Sequence, residues 1–258
     1  MGTSTGGRVV SRGTIVITGA SSGLGAEMAR QFAALGYDLG LCARRTARLE
    51  ELRAEILTAH PDRVVSVRQL DVTDDAAVCT VFDEFAAEFG AVDRVVVNAG
   101  LGKGAPLGTG RHDANRETAI VNFLAALAQT EAAMKIFRAQ GKGHLVMISS
   151  ISGLRGMPKT LTTYAATKAG VAALAEGLRA EAVPGVDVSV IYPGYIRSEM
   201  NDRIKHEPKL MVDTETGVRS MVAAIEKRRA KAYVPDWPWV PIGFALRTLP
   251  LPLVRKLL

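Results

Sequence analysis

A short β-branched run, Thr14-Ile15-Val16-Ile17, stops at Thr18-Gly19-Ala20-Ser21-Ser22-Gly23-Leu24-Gly25 and passes into a helical pattern from Ala26 to Leu35. Strand, glycine turn and helix in that order make a phosphate cradle. Glycines permit the tight turn and the close approach of backbone to a pyrophosphate, and the helix start offers free N–H groups and the positive end of its dipole. Gly19, Ser21, Ser22, Gly23, Leu24 and Gly25 are the candidate cradle residues. A plain strand-to-helix turn is the bland alternative.

The second strand, Tyr37 to Ala43, runs into Arg44-Arg45. A site for NAD(H) usually carries an acidic residue about 20 positions beyond the glycines, to bind the ribose hydroxyls. Arginines stand in that window here. A guanidinium pairs with a 2′-phosphate through charge-assisted bonds, whereas a carboxylate repels it, so the window favours NADP(H) over NAD(H). Solvated charges at a helix start are the other reading of Arg44 and Arg45.

Further along, Thr46 to Ala59 reads as a helix and Val64 to Leu70 as a strand, and Asp71-Val72-Thr73-Asp74 caps a helix over Asp75 to Phe89. Asp71 faces an adenine amino group or serves only the turn. Val92 to Val97 is a buried-type strand closed by Asn98-Ala99-Gly100, small residues against which a cofactor can lie. A glycine-rich loop, Leu101 to Gly110, carries Lys103, and a long helix is expected from Asp113 to Ala139. Asn122 stands alone there among alanines, leucines and a phenylalanine, either to satisfy backbone at a kink or to hold a water near Lys168. Leu145 to Ile148 is a fifth strand, the helix of Tyr164 follows, and Val186 to Tyr192 is a sixth strand ending in Pro193-Gly194. With no internal repeat or linker, the alternation predicts one Rossmann-like α/β domain over 14–236, a doubly wound parallel sheet with helices on both faces.

Tyr164 and Lys168 are four apart, so a helix puts them on one face. A phenol titrates near pH 10 and acts as a base at neutral pH only where a positive charge favours its phenolate. Lys168 supplies such a charge, and Ser150, at a strand end, can hold a carbonyl or alcohol oxygen while Tyr164 moves the proton. Taken alone, the pair is equally an ordinary amphipathic helix face.

Of 258 residues, 48% are hydrophobic and 22% charged, ordinary for a globular chain with one large core. The net charge of +6 attracts anions. The basic residues are scattered and carry no nucleic-acid motif, so a phosphate-bearing cofactor explains them better than nucleic acid does. Cys42 and Cys79 give no disulfide framework, and the four dispersed histidines have no metal-ligand spacing. A cytoplasmic location is the expectation, with one peripheral to the membrane the alternative. The polar stretch 1–13 reads as a frayed tail without the apolar core of a secretion signal.

With these motifs assembled, the sequence resembles the short-chain dehydrogenase/reductase family. The matches are Thr18-Gly19-x-x-x-Gly23-x-Gly25, Asp71-Val72, Asn98-Ala99-Gly100, Asn122, Ser150, Tyr164-x-x-x-Lys168 and Pro193-Gly194, in family order. The resemblance implies a homodimer or homotetramer and reversible hydride transfer between NAD(P)(H) and a carbonyl/alcohol pair. It implies that Tyr164 is the general acid/base, that Lys168 lowers its pKa and binds the nicotinamide ribose, that Ser150 orients the substrate oxygen and that Asn122 holds a relay water. Pro193, Gly194, Ile196 and Ser198 would flank the nicotinamide. Val97 stands where many relatives have asparagine, and Ser198 where many have threonine. Ser150 precedes Tyr164 by one residue more than the commoner family spacing, which leaves Ser149 and Ser152 as other candidates. A dinucleotide-binding regulatory or scaffold protein without turnover, and an NAD-linked alcohol dehydrogenase, are the alternative functions.

Beyond Met200 the match ends. Asn201 to Leu210 reads as a polar lid, Thr214 to Lys227 as a helix and Ala232 to Pro235 as a last strand. The tail 237–258 holds both tryptophans and has Arg247, Arg255 and Lys256 as its only charges. It is too proline-broken to span a bilayer. Packing on its own domain or a partner subunit is expected, with contact to a membrane surface the alternative. The tail also carries the expectation of an apolar, moderately large small-molecule substrate.

Overall fold

The computed structural model describes residues 10–201 and 210–257. Seven strands form one parallel sheet: β1 (Thr14–Thr18), β2 (Asp38–Ala43), β3 (Val65–Gln69), β4 (Arg94–Val97), β5 (Gly143–Ile148), β6 (Val186–Pro193) and β7 (Lys231–Val234), in the order β3-β2-β1-β4-β5-β6-β7. The chain steps outward from β1 to β3, returns to place β4 beside β1, and steps outward the other way. That reversal opens a crevice at the carboxyl ends of β1 and β4, where sheets of this kind bind ligands.

Alternation along each strand assigns its side chains to two cores. Ile15 and Ile17 of β1 join a cluster with Phe32, Leu49 and Ile225, supplied by α1 (Gly23–Ala34), α2 (Thr46–Ala59) and α7 (Thr214–Glu226). Val16 points the other way, to Phe82, Phe85 and Phe137, on α3 (Asp75–Phe89) and α5 (Ala125–Gln140), with Val171 of α6 (Thr162–Ala180). Both faces of the sheet are covered, which is why its strands read as continuous apolar runs. The helices Thr46–Ala59 and Asp75–Phe89 have the bounds expected, and Asp74 caps the second by accepting the Ala77 N–H at 2.9 Å.

One expectation is revised. The long helix expected over 113–139 is instead α4 (His112–Ala119), one π-helical turn at Ile120–Leu124, and α5, so the wide turn falls on Asn122. The stretch read as a tail forms α8 (Asp236–Thr248) and α9 (Leu251–Leu257), whose Trp239, Leu246 and Val254 pack with Ile151, Met157 and Ala165 in a third cluster. The other side of these helices is open, with Trp237 79% and Phe244 71% exposed. Residues 1–9 of the expected N-terminal tail and 202–209 of the expected lid lie outside the described residues.

At the amino ends of the strands, opposite the crevice, sits a buried polar cluster. Arg94 of β4 donates from Nη1 to Glu226 at 2.7 Å and from Nε to His144 Nδ1 at 3.0 Å. An arginine only donates, so Nδ1 accepts and the imidazole proton is on Nε2, 2.8 Å from Ser189 Oγ. Burial, with the nearby Arg94 charge, pushes the His144 pKa down to about 3 and keeps the ring neutral.

Candidate active site

The cradle forms where β1 turns into α1. Gly19 has φ +65°, and a Cβ there would come within 2.9 Å of Ala99 Cα, so only glycine lets this turn lie against the end of β4. A Cβ on Gly25 would overlap the Gly19 carbonyl. Ser22 occupies the N-cap position of α1 without capping it, and its hydroxyl accepts from Arg45 instead. The first-turn N–H groups of α1, on Gly23 and Leu24 among others, are thereby left without a side-chain acceptor. Open N–H groups, a helix dipole and a floor without side chains fit a dinucleotide pyrophosphate.

Thr18, fully buried, ties that turn to β4. Its Oγ1 accepts the N–H groups of Asn98 at 3.0 Å and Ala99 at 3.1 Å, and Asn98 Nδ2 donates to the Thr18 carbonyl at 2.9 Å. At the far end of the crevice Arg45 donates to Ser21 Oγ at 3.2 Å and to Glu199 at 3.1 Å, and Arg48 of α2 also donates to Glu199. The Arg44 charge bears on Asp71, whose carboxyl is held below its ordinary range by the Thr73 N–H first and by Arg44 last. Asp71 Oδ1 closes the turn by accepting from Thr73 N at 3.0 Å, and Val72 beside it is buried.

One face of the helix after the glycine-rich loop is sewn to that loop. Asn115, Thr118 and Asn122 follow one another at helical spacing, and all three are buried. Asn115 exchanges two hydrogen bonds with the Ala105 backbone, Thr118 donates to the Lys103 carbonyl, and Asn122 exchanges two with Leu101, at 2.8 and 2.9 Å. The Asn122 amide is therefore committed to Leu101, and the π turn coincides with that commitment. An Asn122→Ala protein is expected to lose about 2 kcal/mol, roughly 1 for each bond, and the Leu101 amide to lose its hydrogen-exchange protection. Unchanged protection would show that the loop is held by other contacts.

Gly100 separates Asn122 from Lys168: a Cβ on it would lie 3.2 Å from Asn122 Oδ1 and 3.5 Å from Lys168 Nζ. Lys168 is buried and donates to the Ile148 carbonyl at 2.9 Å, and desolvation pushes its pKa down to about 8. Its Nζ is 5.9 Å from the centre of the Tyr164 ring. Burial raises the Tyr164 phenol above its ordinary value, against the pull of a hydrogen bond with Ser150. Of the three candidate serines, Ser150 meets the phenol; Ser149 donates to the Lys168 carbonyl at 2.8 Å, and the Ser152 N–H donates to Ser150 Oγ at 3.2 Å. The phenol is protonated at neutral pH, beside a hydroxyl and a buried ammonium.

Past β6, Gly194 donates its N–H to the Val234 carbonyl at 2.9 Å, and the buried Trp239 indole lies directly on it, where a Cβ would overlap the ring. Tyr195 stacks edge-on against Trp239 at 5.5 Å. Ile196 is buried and bridges to Val212, and Ser198 lies 3.4 Å from where a Gly23 Cβ would be, so the segment after Pro193 closes back on the cradle. Met200 reaches Gly102, its Cγ 2.8 Å from a Cβ built there, so its thioether spans the mouth of the crevice.

Thr18, Arg48, Asn115, Thr118, Glu199 and Trp239 were not among the sequence candidates. The polar trio Asn115, Thr118 and Asn122 had a legible signal, three small polar residues on one face of an otherwise apolar helix. The other four, Thr18, Arg48, Glu199 and Trp239, are set by contacts between distant segments.

Fold and crevice define a dinucleotide-binding α/β oxidoreductase, and the chain belongs to the short chain dehydrogenase family, whose pattern residues 13–209 match. An uncharacterized oxidoreductase of Mycobacterium tuberculosis is 52% identical over 248 residues, 96% of this chain and 98% of that one. A short-chain dehydrogenase from Sphingobium yanoikuyae in complex with NADPH superposes with a TM-score of 0.80 at 27% identity, over 90% of this chain and 93% of that one. An alcohol dehydrogenase from the archaeon Thermococcus sibiricus, complexed with 5-hydroxy-NADP, superposes with a TM-score of 0.77 at 27% identity, over 86% and 95%. The protein is an oxidoreductase that takes a nicotinamide dinucleotide and acts on a small molecule.

Proposed function

We propose that the protein uses NADP(H) to interconvert a carbonyl and a secondary alcohol, with Tyr164 as the general acid/base. The observation that carries this reading is the meeting of the Tyr164 and Ser150 hydroxyls beside buried Lys168 at the carboxyl end of β5. Gly19, Ser21 to Gly25 and Asn98 to Gly100 would hold the pyrophosphate. Arg44 and Arg45 would serve the 2′-phosphate and Asp71 and Val72 the adenine, with Lys168 on the second ribose and Pro193, Gly194, Ile196 and Ser198 beside the nicotinamide. When bound, the dinucleotide gives or takes the hydride. In reduction Ser150 holds the carbonyl oxygen and Tyr164 passes its proton to that oxygen as the carbon gains hydride. Oxidation reverses both transfers, with Lys168 stabilising the phenolate. A protonated phenol supports the reducing direction. The apolar, moderately large substrate is supported by Met200 across the crevice mouth and Tyr195 beside it.

NADP(H) selectivity is tested by binding. Arg45→Ala is expected to weaken NADPH about 30-fold, since hydrogen bonds to charged groups contribute roughly 1.5–3 kcal/mol, and to change NADH by less than about twofold. Equal losses for both dinucleotides would overturn the phosphate assignment and turn the search to NAD-linked oxidation.

A further inference from the structure

Arg45 and Arg48 share one acceptor, and it comes from the far side of the crevice. The Glu199 carboxylate takes the Arg45 guanidinium on Oε2 at 3.1 Å and the Arg48 guanidinium on Oε1. A third bond reaches it from Ser22, and the three donors together hold its carboxyl below the ordinary range, the Arg48 bond most strongly. Two guanidiniums and a hydroxyl from the glycine turn, converging on one oxygen-bearing anion, are the surroundings a phosphate monoester takes. Glu199 is 154 positions from Arg45 and directly follows Ser198, whose Cβ approaches Gly23.

We propose that Glu199 is an internal stand-in for the 2′-phosphate: its carboxylate fills the Arg45–Arg48 fork in the free protein and leaves it when a 2′-phosphorylated dinucleotide binds. The proposal rests on the NADP(H) reading and adds a specificity-determining residue to it. A carboxylate that stayed in the fork would face the incoming phosphate charge, so binding of NADPH includes breaking the Glu199 contacts. NADH brings no phosphate to the fork and leaves them intact. Glu199 therefore weakens the binding of the phosphorylated cofactor alone. Arg48, which shares Glu199 with Arg45, becomes a further phosphate ligand.

The test is calorimetric titration of the wild type, Glu199→Gln and Arg48→Gln with four probes: NADPH, NADH, 2′,5′-ADP and 5′-AMP. The expected result is that Glu199→Gln tightens NADPH and 2′,5′-ADP about tenfold and leaves NADH and 5′-AMP within twofold. Arg48→Gln should weaken the phosphorylated pair only. Glu199→Gln with unchanged or weaker NADPH binding, or with parallel changes for NADH, would overturn the stand-in. Failure of the underlying reading looks different, because a wild type that binds NADH as tightly as NADPH, and 5′-AMP as tightly as 2′,5′-ADP, has no phosphate site whatever Glu199 does.

Discussion

Tyr164→Phe is expected to lower turnover of a ketone substrate about 1,000-fold while leaving NADPH binding within about twofold, the size typical of a lost general acid. The substitution removes one oxygen from a ring seated between Ser150, Tyr195 and Lys168 and changes nothing else in the packing. No group left in the crevice replaces the donor. Lys168 is held by the Ile148 carbonyl, its Nζ 5.9 Å from the centre of the ring. A loss of that size corresponds to about 4 kcal/mol of transition-state stabilisation. Single-turnover reduction with saturating NADPH, read by loss of nicotinamide absorbance, separates the proton step from product release. Wild-type turnover in Tyr164→Phe would sink the acid/base assignment, whereas a loss of NADPH binding in step with turnover would make the phenol a binding group.

The sheet was legible because its physics is local. Apolar runs bounded by glycine, proline and asparagine mark the strands, and alternation with helices of suitable length leaves a parallel doubly wound sheet as the economical arrangement. The cradle and the Tyr164–Lys168 pair were legible because each is one turn of chain. What escaped depends on contacts between segments. The π turn at Asn122 accompanies that side chain's two bonds to Leu101, and no propensity of Ile120 to Leu124 announces it. The prolines of 237–258 read only as barring a bilayer span, and the helices formed there were not legible at all. Trp237 is non-helical, so the continuous helix begins at Pro238, a first position whose N–H needs no intrahelical acceptor, and Pro241 follows inside the helix one position past the N–H groups that go unpaired. Gly194 was readable as a cofactor-side glycine, yet part of its need to be glycine is the Trp239 ring, which arrives from α8. Arg44 and Arg45 read alike in sequence; the turn between β2 and α2 sends them to different neighbours, Asp71 and Ser21.

Glu226→Leu is expected to destabilise the protein by about 3 kcal/mol, the lower end for breaking a buried ion pair, and to lower the melting temperature by about 10 °C. The Arg94 side chain is only 6% exposed, and its guanidinium lies 5.4 and 5.3 Å from the Phe32 and Tyr37 rings, so it has no route to water when its carboxylate is removed. Glu226 also accepts from Tyr37 at 3.0 Å and from Arg12 at 2.9 Å, bonds lost with it. Adding Arg94→Met removes the stranded charge, so the double variant should melt above Glu226→Leu even though His144 Nδ1 then loses its donor. The pH dependence has a definite sign. Burial raises the Glu226 carboxyl, but Arg94, Tyr37 and Arg12 outweigh it and hold the folded pKa below 4.5. The pair's contribution is thus complete above pH 4.5 and is lost as pH falls through the lower folded value, so the gap in melting temperature between wild type and Glu226→Leu should hold from pH 7 to about pH 5 and narrow below pH 4.5. A gap that is small at pH 7, or a double variant no better than the single, would mean that water reaches Arg94 and that this end of the sheet is held by its apolar contacts alone.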